Sequence, residues 1–380
     1  MSSPAVSGTV DILVVGAGPV GLLSSFLTTN LGLKVLAIDK SDGPLKLGRA
    51  DAMNARTLQL LQTLQSGIFD ELYPQGLICN TSSTFKDGQF ASRQSKWWEA
   101  LAGCEHRHFL MLGQPYVEDI LDRRLQELEN PVQRHTTVTR IWTSSDDTAV
   151  FATLLHNDGE EEIIQAKYLI GADGSHSFVR KALDIAFEGE GIDMTWAVID
   201  CETETTFPNV PEIINFQVET SDVARIPREG KINRYYVHMD SRDFTTEDAI
   251  AKIERALQPH PIKFTRIEWA SQFTVQERIA KQFVWKNRVF LAGDAGHVHS
   301  VNGGQGLNTG LMDAFNLSWK IYLHAQGLAN DMILQSYEQE RRPVAQTVIE
   351  TAGKLVRATK YARGLAPGTF FADSSTECRD

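Results

Sequence analysis

Three short segments of this 380-residue sequence carry residue types and spacings suited to chemistry. The first is Gly16-Ala-Gly18-Pro-Val-Gly21, followed by Asp39 and Lys40. Gly16 permits a tight turn, Gly18 lets backbone approach a pyrophosphate, and Gly21 lets a helix pack closely on a strand; the helix N-terminus then faces the phosphates. Asp39 follows Gly21 by 18 residues, where an acid can bind a ribose hydroxyl pair. The pattern reads as a dinucleotide site and does not choose FAD over NAD. The second segment is Asp173-Gly174-Ser-His-Ser177-Phe-Val-Arg180, which taken alone reads as a strand-to-helix turn with Ser177 near an N-cap. The third runs from Arg288 through Gly293-Asp294-Ala-Gly296-His297 into Gly303-Gly304-Gln-Gly306-Leu307-Asn308. Asp294 ends a strand, where a carboxylate can accept a ribitol hydroxyl. The glycine cluster opens a helix whose free N–H groups point at whatever binds there. Were the ligand a flavin, they would bond the polar edge of its ring and favour a reduced, anionic form.

Each segment needs an element to position it. Asp11–Val15 is a short, β-branched apolar run, read as a buried strand. Leu22–Leu31 has the character of a helix closed by Gly32, and Lys34–Ile38 that of a second strand delivering Asp39. Tyr116–Leu128 has helical periodicity. Val138–Trp142, Ala149–His156 and Glu162–Ala166 read as a small meander, Tyr168–Ala172 and Val289–Ala292 as buried strands. Residues 187–280 alternate apolar and polar and predict an antiparallel sheet, with Thr195–Asp200, Ile213–Val218 and Arg234–Met239 among its strands. Helices are expected at 307–325, 331–340 and 343–363. The fold class is therefore α/β: a Rossmann-like nucleotide-binding domain of residues 1–74, 111–186 and 281–380, a mainly antiparallel sheet domain of residues 75–110 and 187–280 inserted in it, and C-terminal helices.

Composition narrows the classes. Hydrophobic residues make up 42% and charged residues 22%, ordinary values for a globular chain. A net charge of −11 argues against a broad basic face for nucleic acid. The four cysteines, Cys79, Cys104, Cys201 and Cys378, have no CxxC spacing, so neither a metal site nor a disulfide framework is expected. No apolar stretch is long enough to span a bilayer, and residues 1–9 lack the pattern of a signal peptide, so a cytoplasmic protein is expected, with no membrane partner.

In this order and spacing, the three segments resemble the single-component FAD-dependent aromatic hydroxylases, the para-hydroxybenzoate hydroxylase and phenol hydroxylase family. Gly48-Arg49-Ala-Asp51-Ala-Met-Asn-Ala-Arg56-Thr-Leu looks like the phenol hydroxylase branch, and Ile226-Pro-Arg228-Glu-Gly and Arg234-Tyr-Tyr-Val fit its middle sheet. The resemblance implies FAD as cofactor and NADPH or NADH as co-substrate. FAD would be held by Gly16, Gly18, Gly21, Asp39 and Lys40, with Arg49 reaching its phosphate or the nicotinamide cofactor and Gln114 its phosphate or ribose region. Asp173 and Arg180 would serve both nucleotides, and Asp294, Gly304, Gly306, Leu307 and Asn308 the flavin end. The implied reaction hydroxylates a phenolic or polyketide-derived aromatic with O2 through a flavin C4a-hydroperoxide, which a dry wall must protect from water.

For the reaction itself, Asp51 is the candidate base or hydroxyl acceptor, or else a cap for a helix starting near Met53. Arg278 is a second candidate, holding phenolate or flavin, or else a structural salt bridge. His297 reads as structural. Phe273 stands where the branch often has tyrosine, so a substrate's orientation falls to another group, with Tyr235 and Tyr236 the choices; Phe273 and Tyr236 are expected at the substrate. Val301 stands where the family usually has proline. Trp97, Trp98, Trp196 and Phe216 are further aromatic candidates for the pocket. The chain resembles a compact member without the C-terminal thioredoxin-like domain of the phenol hydroxylases, and a homodimer is open. A Baeyer–Villiger oxygenase, an epoxidase or a non-catalytic flavin protein are the alternatives on the same fold.

Overall fold

The fold is that of a computed structural model describing residues 6–94, 103–217, 223–300 and 304–361, and their side chains except at 192, 193 and 355–361. Trp97, Trp98, Val301, Gly303 and Cys378 lie outside the described residues.

The strand Gly8–Val15 is central to a seven-stranded sheet. It pairs in parallel with Val35–Ile38 on one side and Glu161–Gly171 on the other, and the latter pairs in parallel with Val289–Leu291. Ile12, Leu13 and Val14 are at most 1% exposed, the continuous apolar run that a strand covered on both faces requires. The hairpin Thr136–Thr143 and Val150–His156 adds antiparallel strands to Glu161–Gly171, and Val284–Trp285 closes the far edge. The helices Pro19–Asn30, Gln114–Glu127 and Gln305–Ala325 share a core in which Leu22, Leu23 and Phe26 meet Ile120, Leu121, Leu307 and Leu311.

The second sheet has eight strands. Its middle is the long strand Phe187–Thr205, flanked by Ile262–Ala280 and Asn233–Met239. Val223–Pro227, Ile213–Gln217, Ser82–Lys86 and Gln89–Gln94 continue it on one side, and His297–Val298 on the other. All pairs are antiparallel except Ile213–Gln217 with Ser82–Lys86. A small third sheet joins Ala52–Met53, Phe109–Met111 and Leu77–Cys79: the segment carrying Asp51 pairs with Phe109–Met111, which pairs in turn with Leu77–Cys79.

The expected mixed architecture of a parallel nucleotide-binding sheet and a mainly antiparallel second sheet is present. Two expectations need correction. The stretch 187–280 is not all strand: Thr246–Ala256 is a helix, begun by a capping box in which Thr245 and Asp248 satisfy each other's backbone N–H. The capping pair and the spacing of Ala249, Ile253 and Ala256, which are buried, were the available sequence signal. The C-terminal helix also does not stop before Pro343 but runs through it as Asp331–Tyr361. Pro343 and Gln339, the residue four earlier, are exposed, so the missing hydrogen bond faces solvent while Tyr337, Ala345 and Ile349 stay buried.

Tyr337 docks that helix on the parallel sheet, its hydroxyl donating to the Leu291 carbonyl at 2.8 Å in a fully buried site. Tyr337→Phe is expected to cost about 1 kcal/mol in urea unfolding; an unchanged midpoint would show that the bond contributes nothing to stability.

Candidate active site

The first turn is built as its glycines require. Gly16 has φ of +102°, and a Cβ there would lie 2.4 Å from the Ala172 carbonyl oxygen. A Cβ on Gly21 would lie 1.8 Å from the Gly16 oxygen, so strand and helix meet at backbone contact. Gly18 differs. Nothing in the protein stands within 4 Å of its would-be Cβ, and it caps a helix whose first residue, Pro19, has no N–H to satisfy. That is a surface left for a ligand's backbone-hugging group. Asp39 stands beside it. One of its oxygens accepts from Ala17 N–H at 2.6 Å, the other from the Ser41 N–H and hydroxyl at 2.7 and 2.6 Å. Burial alone would raise its pKa, but these bonds and the Arg134 charge outweigh it and hold the carboxyl below its ordinary value. It is therefore an anion at neutral pH. Lys40 is exposed.

The second and third segments are tied to each other. Asp173 accepts from Phe178 and Val179 N–H at 2.6 and 3.1 Å, and Ser177 caps the same short helix by accepting from Arg180 N–H at 3.0 Å. The other Asp173 oxygen is buried with no partner. Arg180 is 4% exposed and its guanidinium is spent inside the protein, donating to the Ala295 and Ser175 carbonyls at 2.8 and 2.9 Å and lying 3.8 Å from the centre of the Phe187 ring. Its side chain joins two turns, where a nucleotide contact was expected. The same holds for Asn308. Its oxygen accepts from Asn54 N–H and the Thr57 hydroxyl, and its amide donates to the Ala52 and Gly304 carbonyls, at 2.6 to 3.0 Å. Asn308 thus clasps the Asp51 segment to the glycine-rich helix start and has no side-chain valence left for a cofactor. Gln114 likewise secures Ala50, exchanging one backbone and one side-chain bond with it.

Asp294 is exposed with no side-chain partner among the described residues. Sequence reasoning missed the acid that supports its turn. Asp313, fully buried, accepts from Gly293 N–H, His297 Nε2 and Arg341 Nε at 3.0, 2.7 and 2.7 Å. Burial would raise its pKa, but His297 and Arg341 outweigh burial and lower it. Next to Gly306, His299 donates from Nδ1 to the Ser300 carbonyl, which leaves Nε2 as a bare, buried acceptor; the Ser300 hydroxyl is also buried without a partner.

Above this lies the large sheet. Its register puts Asp200, Arg234, Tyr236, Trp196, Phe273 and Trp269 on one face. Asp51, 6% exposed, reaches that face: one oxygen accepts from Arg234 at 3.2 Å and from the Tyr236 hydroxyl at 3.4 Å. Asp51 is not a helix cap, because Asn54 caps Ala55–Thr63. Arg234, 1% exposed, also forms a bidentate pair with Asp200 at 2.6 Å for both bonds and donates to the Arg49 carbonyl. The Arg49 side chain is exposed; its backbone has a left-handed φ of 66°. Burial and the Asp51 charge raise the Tyr236 pKa, so it is a protonated donor at neutral pH. Trp196, Met194 and Val275 are buried beside Tyr236 and Phe273, and the Phe273 and Tyr236 rings meet edge to face at 6.5 Å. Arg278 is not brought to Asp51 by any described contact: it lies in register with Gly189 and Val298, its side chain exposed, and Arg234 occupies the place expected of it. Phe216 and Tyr235 belong to the core on the opposite face.

A family model described as FAD binding domain matches residues 9–352. The chain belongs to that FAD binding domain family. It is 31% identical over 368 residues to phenol 2-monooxygenase fsqG of Aspergillus fumigatus, covering 90% of this chain and 60% of that relative. It is 30% identical over 381 residues to 3-hydroxybenzoate 4-monooxygenase of Comamonas testosteroni, covering 91% and 59%. Among solved structures it resembles the ternary complex of aklavinone-11 hydroxylase with FAD and aklavinone, at 26% identity and a TM-score of 0.79 over 96% of this chain and 71% of that one. The chain thus spans about three-fifths of the length of these curated relatives.

The FAD binding domain found here fits its cofactor on its own chemistry. The open face of Gly18 and the helix beyond it suit a pyrophosphate, and the Asp39 anion suits a ribose. The unpartnered Asp294 carboxylate and the buried orphan atoms at Asp173, His299 and Ser300 are the groups that a bound polar ligand would satisfy.

Two substitutions separate binding from folding. Gly18→Ala is expected to leave the melting temperature of the FAD-free protein unchanged while weakening FAD at least tenfold, whereas Gly21→Ala lowers both. Equal losses of stability in the two variants would mean that the space at Gly18 is not a ligand surface. The Asp313 anion also has a pH signature. A carboxyl held below its unfolded value of about 3.9 contributes stability above that pH and loses it as the pH falls through its folded value. Wild type should therefore destabilise more steeply than Asp313→Asn below about pH 4; parallel acid-unfolding curves would contradict the assignment.

Proposed function

We propose that the chain is an FAD-dependent monooxygenase that hydroxylates a phenolic or polyketide-derived aromatic with NAD(P)H and O2. The observation that carries this reading is the buried Asp51 carboxylate, in contact with Arg234 and the Tyr236 hydroxyl of the large sheet and carried on a segment that Asn308 ties to the glycine-rich helix start. When bound, FAD supplies the redox chemistry that connects a nicotinamide donor to O2.

The residues divide the remaining work. Asp51 accepts the substrate's phenolic hydrogen and makes the ring a better nucleophile toward an electrophilic oxygen. Tyr236 takes the orienting role that Phe273 cannot fill for lack of a hydroxyl. Arg234 holds the Asp51 carboxylate in place, and Trp196, Met194, Val275 and Phe273 form an apolar wall that limits water. Arg278, distant in register from these groups, suits an electrostatic role toward the nicotinamide cofactor better than contact with the phenol. We retain the division into a nucleotide-binding domain of 1–74, 111–186 and 281–380 and a sheet domain of 75–110 and 187–280. Free cysteines at Cys79, Cys104 and Cys201 suit a reducing, cytoplasmic location, and among the described residues no helix is long and apolar enough to cross a membrane.

The test is NADPH oxidation by FAD-loaded protein across a panel of phenols, with hydroxylated product and H2O2 both quantified. Asp51→Asn should lower product formation by about 10²-fold or more, and Tyr236→Phe should divert reducing equivalents to H2O2, both with FAD retained. Oxidation to H2O2 alone with every phenol, or full product formation by Asp51→Asn, would refute the reading.

A further inference from the structure

On the side of the large sheet away from Asp51 there is a cavity of about 620 Å³. It lies between the 203–211 segment, the turn after Val223–Pro227 and residues 75–77. Its volume falls in the range of small-molecule sites, roughly 300–1,000 Å³. The active-site reading makes no use of it. Arg225 is in register with Tyr235, and so is on the opposite face from Arg234 and Tyr236.

Arg225 is the unusual feature of that cavity. It is 4% exposed, yet among the described residues no carboxylate lies within ion-pair distance of it. Its guanidinium donates to three neutral acceptors: Asn233 Oδ1 at 2.8 Å, the Val210 carbonyl at 3.4 Å and Asn209 Oδ1 at 3.2 Å. The nearby acids are engaged elsewhere, Glu212 with Arg93 and Ser83, and Glu229 with Arg228. Burial lowers the Arg225 pKa, with Tyr235 and Glu212 offsetting it only in part. A buried guanidinium keeps its charge at neutral pH, and a buried charge ordinarily carries a counter-ion. The other two buried arginines of this region obey that rule: Arg228 meets Asp200 and Glu229, and Arg234 meets Asp200 and Asp51. Arg225 and Arg228 both line the cavity, and of the three arginines Arg225 alone has no carboxylate partner among the described residues.

The rest of the lining says what kind of anion fits. Phe207, Pro208, Val210 and Pro211 give one wall apolar carbon; Arg228 and Glu229 also line the cavity but are paired with each other, and Lys231 adds a further positive charge. A planar fork of N–H donors beside apolar surface matches a carboxylate on an apolar body better than a free phosphate. We propose that this cavity is a second ligand site, distinct from the Asp51 face, that takes a small organic carboxylate with its anionic end on Arg225. The inference does not depend on the hydroxylase reading.

Benzoate is a suitable probe, titrated calorimetrically into FAD-loaded protein, with benzamide and inorganic phosphate as comparisons. Benzoate should bind, benzamide and phosphate at least tenfold more weakly. Benzoate binding should fall at least tenfold in Arg225→Met and persist in Asp51→Asn, which separates the cavity from the active site. Because Arg225→Met removes a buried residue and can disturb folding, wild-type crystals soaked in 4-bromobenzoate provide an independent readout. An anomalous bromine peak beside Phe207 and Arg225 supports the site. A peak on the Asp51 face only, no peak, equal affinity for benzamide, or phosphate bound in preference to benzoate would each overturn it.

Discussion

A charge that is removed from water must carry its compensation with it, and Arg234 is where this chain meets that demand most strictly. Burial alone would lower its pKa; Asp51 and Asp200 outweigh burial and raise it. The bidentate bond to Asp200 anchors the guanidinium within the sheet, since the two residues are cross-strand neighbours. Its remaining reach goes to the other part of the chain, to the Asp51 carboxylate and the Arg49 carbonyl. The segment 48–51 is thereby held against the sheet. Gly48, with φ of +82°, accepts this docking because any Cβ would run into the Trp269 ring at 2.4 Å. One arginine thus joins the sheet wall to the residue proposed to take the substrate proton.

The nucleotide side is held by a comparable economy of polar groups. Asn308 spends its whole amide on the Asp51 segment and the helix start, and Asp313 spends its carboxylate on the turn that presents Asp294. These bonds tie the glycine-rich helix start to the Asp51 segment and the Gly293 turn to the helix that follows. Bonds within the protein set the geometry, while the groups left open, at Gly18, Asp294, His299 and Ser300, are those a bound cofactor would satisfy.

Adjacent residues on the large sheet show how strand alternation partitions this molecule. Tyr236 points to Asp51, while Tyr235, next in sequence, packs with Ile199, Cys201 and Phe216 beneath the helix Thr246–Ala256. Arg234 and Arg225 divide in the same way, one facing the active site and the other the far cavity. The two faces of a single sheet therefore present separate sets of polar groups, because a period of two residues is all that separates them.

Much of this was legible in the sequence, where a function depends on local backbone. The turn at Gly16–Gly21, the acid at Asp39 and the turn at Asp173–Ser177 are set by residue types within one strand–turn–helix unit, and sterics allow few alternatives. The strand periodicity of Arg234–Met239 was equally local. What the sequence could not supply was the pairing of distant groups. Asp51 was identifiable, but Arg278 and Arg234 are equivalent as arginines in a strand, and only register and burial distinguish the exposed one from the one beside Asp51. Asn308 and Arg180 were visible within cofactor motifs, yet whether a side chain faces a ligand or closes a contact with its own protein depends on what the fold brings within about 3 Å. Local conformation is a property of neighbours in sequence. The sharing of a buried charge is a property of neighbours in space, and here those neighbours are up to 185 positions apart.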